Sequence, residues 1–150
     1  MTDDRKEEKY CGGNGSPVGF FSFDLPKLNS PPSELSPLNL AYIGDAVFEL
    51  YVRIRLISGR ESVNKLHKKA KDIVSAEAQA KMYYRLIEML TDEELAVIKR
   101  GRNAKSVTVA KNASISAYRH ATGLEALFGY LFLKGEHERL SALFDKCLGL

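Results

Sequence analysis

From Leu38 to Leu150 the chain contains no proline. Proline removes a backbone donor and disrupts helix interiors and central strands alike, so a stretch this long without one is free to form regular structure throughout. The apolar pattern then selects helix. Leu40, Ile43, Val47, Leu50, Ile54 and Ile57 recur at spacings of three and four, the period of a helix with a core-facing stripe. Runs of β-branched residues are few. The expected fold is all-α, a helical bundle in one domain.

Local signals divide the bundle. Ser36-Pro37 reads as an N-cap followed by proline at the first helical position, so a first helix spans about Pro37 to Ser58 and ends at Gly59. A second runs from about Ser62 to Val74, basic through Lys65, His67, Lys68, Lys69 and Lys71, with Val63, Leu66, Ala70 and Ile73 or Val74 turned inward. A third covers Ala76 to Met89. Thr91-Asp92-Glu93-Glu94 is a capping box that opens a fourth helix ending near Gly101. Arg102 to Ser114 has weak periodicity and reads as a loop or extended segment, where binding residues are often displayed. A fifth helix spans about Ile115 to Lys134 and the last about Glu136 to Leu148. Residues 1–36 hold four of the five prolines and four of the eleven glycines without a sustained period. They read as a flexible tail, with Phe20, Phe21 and Phe23 tacked onto a domain of residues 37–150.

The first helix is also apolar on its opposite face, at Tyr42, Val52 and Leu56, so burial nearly all round is expected. One polar stripe remains: Asp45, Glu49 and Arg53. Arg53 can pair with Glu49 at i,i+4. Asp45 has no basic neighbour at that spacing, and a buried carboxylate is costly unless paired or bound to a cation. Position alone leaves it structural or functional.

The fifth helix poses the same problem. Tyr118, Ala121, Glu125, Phe128 and Phe132 form one line, with Leu124, Leu127 and Leu131 on the neighbouring face. Glu125 is the one acid between Ala113 and Lys134 and has no basic residue three or four positions away. Gly44 stands beside Asp45, and Gly129 lies one turn beyond Glu125. Each glycine costs about 1 kcal/mol of helix propensity relative to alanine, tolerable where two backbones must come close. If the two helices cross there, Asp45 and Glu125 meet. Facing carboxylates repel unless a divalent cation lies between them, and an all-oxygen site suits Mg²⁺ or Mn²⁺ better than zinc.

Charge adds a polyanion. The chain carries a net +3, but Leu95 to Leu124 contains six basic residues (Lys99, Arg100, Arg102, Lys105, Lys111, Arg119) and no acid, so the remainder is net negative. Basic side chains interleaved with asparagine and serine suit a phosphate backbone. An acidic cation site beside such a segment is the arrangement expected of a phosphodiester hydrolase. Cys11 and Cys147 form neither a disulfide framework nor a metal cluster, and His67, His120 and His137 lack metal-site spacing. No apolar run approaches a membrane span and the acidic N-terminus does not look like a signal peptide, so a cytoplasmic protein is expected.

Ile43-Gly44-Asp45 and Glu125-Ala126-Leu127-Phe128-Gly129 resemble the signature helices of the ribonuclease III endonuclease domain. Ala41-Tyr42-Ile43-Gly44-Asp45-Ala46, Val74-Ser75-Ala76, Arg100-Gly101-Arg102-Asn103-Ala104-Lys105-Ser106 and Tyr118-Arg119-His120 are closer still to its Mini-ribonuclease III subfamily. The resemblance spans about residues 38 to 145. It implies a helical homodimer without a separate double-stranded-RNA-binding domain, cutting double-stranded RNA with Mg²⁺ (Mn²⁺ able to substitute) to leave 5′-phosphate ends. Its members mature the large-subunit ribosomal RNA precursor. By that resemblance Asp45 and Glu125 are the catalytic and metal-binding residues and Glu49 is a candidate behind them. Arg100, Arg102, Asn103, Lys105, Lys111 and Arg119 would contact RNA. The longer family members carry two further acids, at positions that are Ala41 and Thr122 here. One weakly held Mg²⁺, completed by waters, is therefore expected. The rival reading is a non-catalytic RNA-binding or ribosome-assembly module on a degenerate nuclease fold.

Overall fold

A computed structural model describes residues 25–105 and 114–149. Six α-helices carry the described fold: α1 Pro37–Leu56, α2 Val63–Val74, α3 Ala76–Leu86, α4 Asp92–Asn103, α5 Ile115–Leu133 and α6 His137–Leu148. Short 3₁₀ turns precede α1 at Pro32–Glu34 and follow α3 at Ile87–Met89. No strand occurs among the described residues.

Side chains start the helices as their sequences dictate. Ser36, Ser75, Thr91 and Ser114 each accept a hydrogen bond from the backbone N–H three residues on, at Asn39, Ala78, Glu94 and Ala117. At α4 the box is reciprocal, since the Thr91 backbone N–H donates to Glu94 Oε2 at 2.9 Å. Two boundaries move. α1 ends at Leu56, closed by the Ile57 N–H on the Ile54 carbonyl, while Gly59 lies beyond it at φ +77°. α4 runs on to Asn103, which takes Arg102 and Asn103 out of the expected loop and onto a helix. Leu35, just ahead of α1, already packs against the core.

α5 is the axle. Eleven of its residues from Ala117 to Leu131 are buried, and α1, α3, α4 and α6 all pack on it. Phe48 of α1, Phe128 of α5 and Phe144 of α6 meet edge to face, with ring centroids 5.4 to 6.4 Å apart, the preferred arrangement of aromatic quadrupoles. α6 is tied to α4 by Arg139, which donates from both Nε and Nη2 to the buried Glu94 carboxylate at 2.8 Å.

The expectation that α1 is buried nearly all round does not hold. Leu40, Ala41, Gly44, Val47, Phe48 and Val52 face inward. Tyr42 is 80% exposed, and Leu50, Ile54 and Ile57 of the expected core stripe are 41%, 44% and 64% exposed. A helix apolar on two faces can turn either one inward, and closeness to α5 decides. Only the face bearing Gly44 lets the backbones touch.

The contact is very tight. A Cβ built on Gly44 would stand 1.7 Å from the Glu125 carbonyl oxygen, and one on Gly129 would stand 2.0 Å from that of Leu40. These are backbone atoms, so no side chain can swing aside. Gly44→Ala is expected to cost about 3 kcal/mol or more by overpacking, measured as a lowered denaturant midpoint at unchanged slope. Stability within 1 kcal/mol of the native protein would show that α1 and α5 are separable.

Candidate active site

Three helices converge where α1 crosses α5. Gly44 abuts the main chain of Glu125 itself, so the next residue of α1, Asp45, is brought to the Glu125 side chain. The Glu125 carboxyl is pushed up to about 8, first by burial and then by the negative charge of Asp45. Asp45 is also raised, by burial and then by the charge of Glu49. Asp45 is a solvent-exposed residue at the rim, not the carboxylate inside a fully buried helix that its sequence context predicts. Its carboxyl is nonetheless partly screened from water by the crossing. Glu49 forms the predicted pair with Arg53, at 2.7 Å. Both sequence readings of Glu49 therefore describe one side chain, bonded to Arg53 and electrostatically felt at Asp45.

From α3 comes a residue that the sequence reading missed. Gln79 is 1% exposed, and its amide faces Glu125 closely enough to offset part of the burial effect there. Its Nε2 nevertheless completes no hydrogen bond of normal geometry. A signal was available. Gln79, Met82, Tyr83 and Leu86 repeat at core spacing, and the glutamine is the polar member of that buried face.

The basic residues gather at the end of α4 and the start of α5. Arg102, Asn103, Arg119 and His120 line one open hollow together with Ile115 and Ser116. Arg102 donates from Nη1 to Tyr83 Oη at 3.3 Å and from Nε to Asn103 Oδ1 at 3.2 Å, which holds its guanidinium in place. His120 bridges the Ser116 carbonyl and Tyr84 Oη, at 2.7 and 3.0 Å. Arg100 and Lys105 are exposed on either side of Arg102 in sequence and do not line the hollow. Lys111 lies outside the described residues. His67 is exposed on α2, and Phe128 belongs to the core.

Among the described residues no three His, Cys, Asp or Glu side chains are grouped to hold a metal ion. The two carboxyls fit a hard divalent cation on other grounds. They offer oxygen donors alone, the charge of Asp45 adds to the cost of ionising Glu125, and no basic side chain contributes to offsetting either shift. A cation of that kind retains several waters and needs only one or two protein carboxylates. No helix among the described residues is long and apolar enough to cross a membrane.

Residues 38–136 match the family model described as the ribonuclease III domain. The chain is 50% identical over 118 residues to the Mini-ribonuclease 3 of Enterococcus faecalis, covering 77% of this chain and 89% of that protein. It is 47% identical over 125 residues to that of Brevibacillus brevis, covering 83% and 93%. A crystal structure of a protein from Fusobacterium nucleatum superposes with a TM-score of 0.72 at 30% identity, over 77% of this chain and 94% of that one. The α1–α5 crossing with its paired carboxyls thus stands within the matched segment, and the chain belongs to the ribonuclease III family, within its Mini-ribonuclease 3 group.

Proposed function

We propose that this endoribonuclease cuts double-stranded RNA in the cytoplasm as a homodimer, with Asp45 and Glu125 as its catalytic, cation-holding residues and a large-subunit ribosomal RNA precursor as its substrate. The observation that carries the reading is the meeting of two carboxyls, one of them half-buried, without a basic partner, at a glycine-lined helix crossing. Such an arrangement is unfavourable in a purely structural role. It becomes favourable when Mg²⁺, or Mn²⁺ in its place, neutralises both acids.

When bound, the cation supplies Lewis-acid activation of water and charge stabilisation at the scissile phosphate. The chain's own residues do the rest. Asp45, at the rim, and Glu125, beneath it, hold the ion from two helices whose separation the glycines fix. Glu49 adds negative charge behind Asp45 while staying bonded to Arg53. Arg102, Asn103 and Arg119 present donors to the RNA backbone from the hollow, with Arg100, Lys105 and Lys111 extending the basic segment along the sequence. The products carry 5′-phosphate ends.

The exposed apolar side chains of α1 support a second copy of the chain as partner. Leu50 and Ile54 lie one turn apart on α1, Ile57 stands just beyond its end and Tyr42 near its start, and all four are exposed. Large apolar side chains left exposed near one another are surface that a protein interface would cover.

Asp45→Asn and Glu125→Gln are each expected to lower cleavage of duplex RNA by at least about a hundredfold, the scale of removing one preorganised electrostatic contact, with helicity and melting temperature preserved. Near-native cleavage by either variant would end the assignment and favour the non-catalytic module. Arg102→Ala combined with Lys105→Ala should weaken RNA binding and reduce the slope of log affinity against log salt by about two; an unchanged slope would remove both from the interface. Ile54→Glu should convert a dimer to a folded monomer in sedimentation experiments. Sedimentation of the native protein as a monomer at micromolar concentration would overturn the dimer.

A further inference from the structure

Gln79 is not needed where it stands. On the buried face of α3 it is followed by Met82, Tyr83 and Leu86, and a leucine at the same position would fill the space without carrying polar atoms into the core. An amide that is almost fully buried is ordinarily hydrogen-bonded at both ends. Here Nε2 is left without a partner of normal geometry, while the amide remains close enough to act on the Glu125 carboxyl. Its place is also well fixed. Ser75 caps α3 one turn earlier by accepting from the Ala78 N–H at 3.3 Å, and α3 packs directly on α5. The backbone of Glu125 is itself held by its contact with Gly44. What remains free is the carboxyl at the end of the Glu125 side chain.

We infer that Gln79 is a positioning residue for Glu125, its amide N–H closing a hydrogen bond onto that carboxylate when the group takes up its cation and holding it in place against Asp45. The inference rests on the reading of Asp45 and Glu125 as a cation site. An ionised carboxylate accepts at several lone-pair positions, so Glu125 can bond Gln79 on one side while a cation engages it on another. An orphaned donor in the cation-free protein becomes a satisfied one in the loaded protein. Outer groups that orient a ligating carboxylate govern metal affinity more than they govern folding. Neither Ala41 nor Thr122 supplies a carboxyl here, so fewer acids share the cation and its hold depends more on the exact placing of Glu125.

The test is calorimetric titration of the full-length protein with Mn²⁺ alone, comparing the native chain with Gln79→Met, which keeps the length of the side chain and removes its donor. Gln79→Leu serves as a second, shorter apolar replacement. The expected result is a ten- to hundredfold weaker Mn²⁺ affinity and an equal rise in the Mg²⁺ concentration giving half-maximal cleavage. The KM for duplex RNA at saturating Mg²⁺ and the melting temperature without metal should stay at native values. Native Mn²⁺ affinity in both replacements would overturn the role of Gln79, whatever their stability. Glu125→Gln distinguishes the two levels. A Mn²⁺ site lost in Glu125→Gln but kept in Gln79→Met overturns this inference alone, whereas a native protein with no Mn²⁺ site that Glu125→Gln removes overturns the cation reading and this inference together.

Discussion

The backbone contact between α1 and α5 at Gly44 and Gly129 is the constraint on which the molecule depends. With any side chain at either position the helices would stand farther apart, because the atoms a Cβ would meet belong to the opposite main chain. The same residue serves both structure and chemistry there. The carbonyl of Glu125 abuts Gly44, and its side chain enters the site. Separating the helices would therefore release Asp45 from Glu125 and admit more water around the half-buried Glu125 in one movement. A second close approach, between Gly101 of α4 and Gly123 of α5, repeats the device two residues before Glu125. α5 is thus clamped by glycine contacts on both sides of its acid.

Two glutamates, Glu94 buried and Glu125 half-buried, show how differently one chain can treat a carboxylate withdrawn from water. Glu94, in the first turn of α4, receives two hydrogen bonds from Arg139 and one from the Thr91 backbone N–H, so its carboxyl is held below the usual range. It is ionised, paired and structural. Glu125 has burial, a neighbouring aspartate and a single amide, and its carboxyl is driven the other way. Removing a partner from Glu94 would leave a charge uncompensated, whereas Glu125 is uncompensated already. That difference is the physical content of calling one site structural and the other functional: perturbed ionisation concentrates where a protein binds or reacts.

Helix boundaries were legible because they are local. Serine and threonine caps, the reciprocal box at Thr91, and the proline after Ser36 act within four residues, and the structure uses each of them. Pairing Asp45 with Glu125 was legible for a different reason, since two glycines on otherwise apolar helices advertise close backbones. The orientation of α1 was not legible, because Leu50, Ile54 and Ile57 continue the apolar period as well as Val47 does, and only packing distinguishes them. Gln79 was overlooked on similar grounds. Among Ala76, Ala78 and Ala80 it reads as an ordinary helix former, and its meaning comes from α5, which is far away in the sequence.

The basic hollow and the two carboxyls are held in register by one rigid element. Arg119 and His120 open onto the basic hollow from the first turns of α5, and Glu125 follows on the same helix, so Arg119 and Glu125 are offset by about 9 Å along its axis at 1.5 Å per residue. Arg102 reaches the hollow from α4, whose own distance from α5 is set by Gly101 against Gly123. A phosphate strand engaged by those side chains would meet the two carboxyls at an offset that no loop determines. The basic segment Leu95 to Leu124 and the acidic pair are therefore not two features that happen to share a chain. On the proposed reading, the buried axle between them would set the distance between a grip on the RNA backbone and the cut.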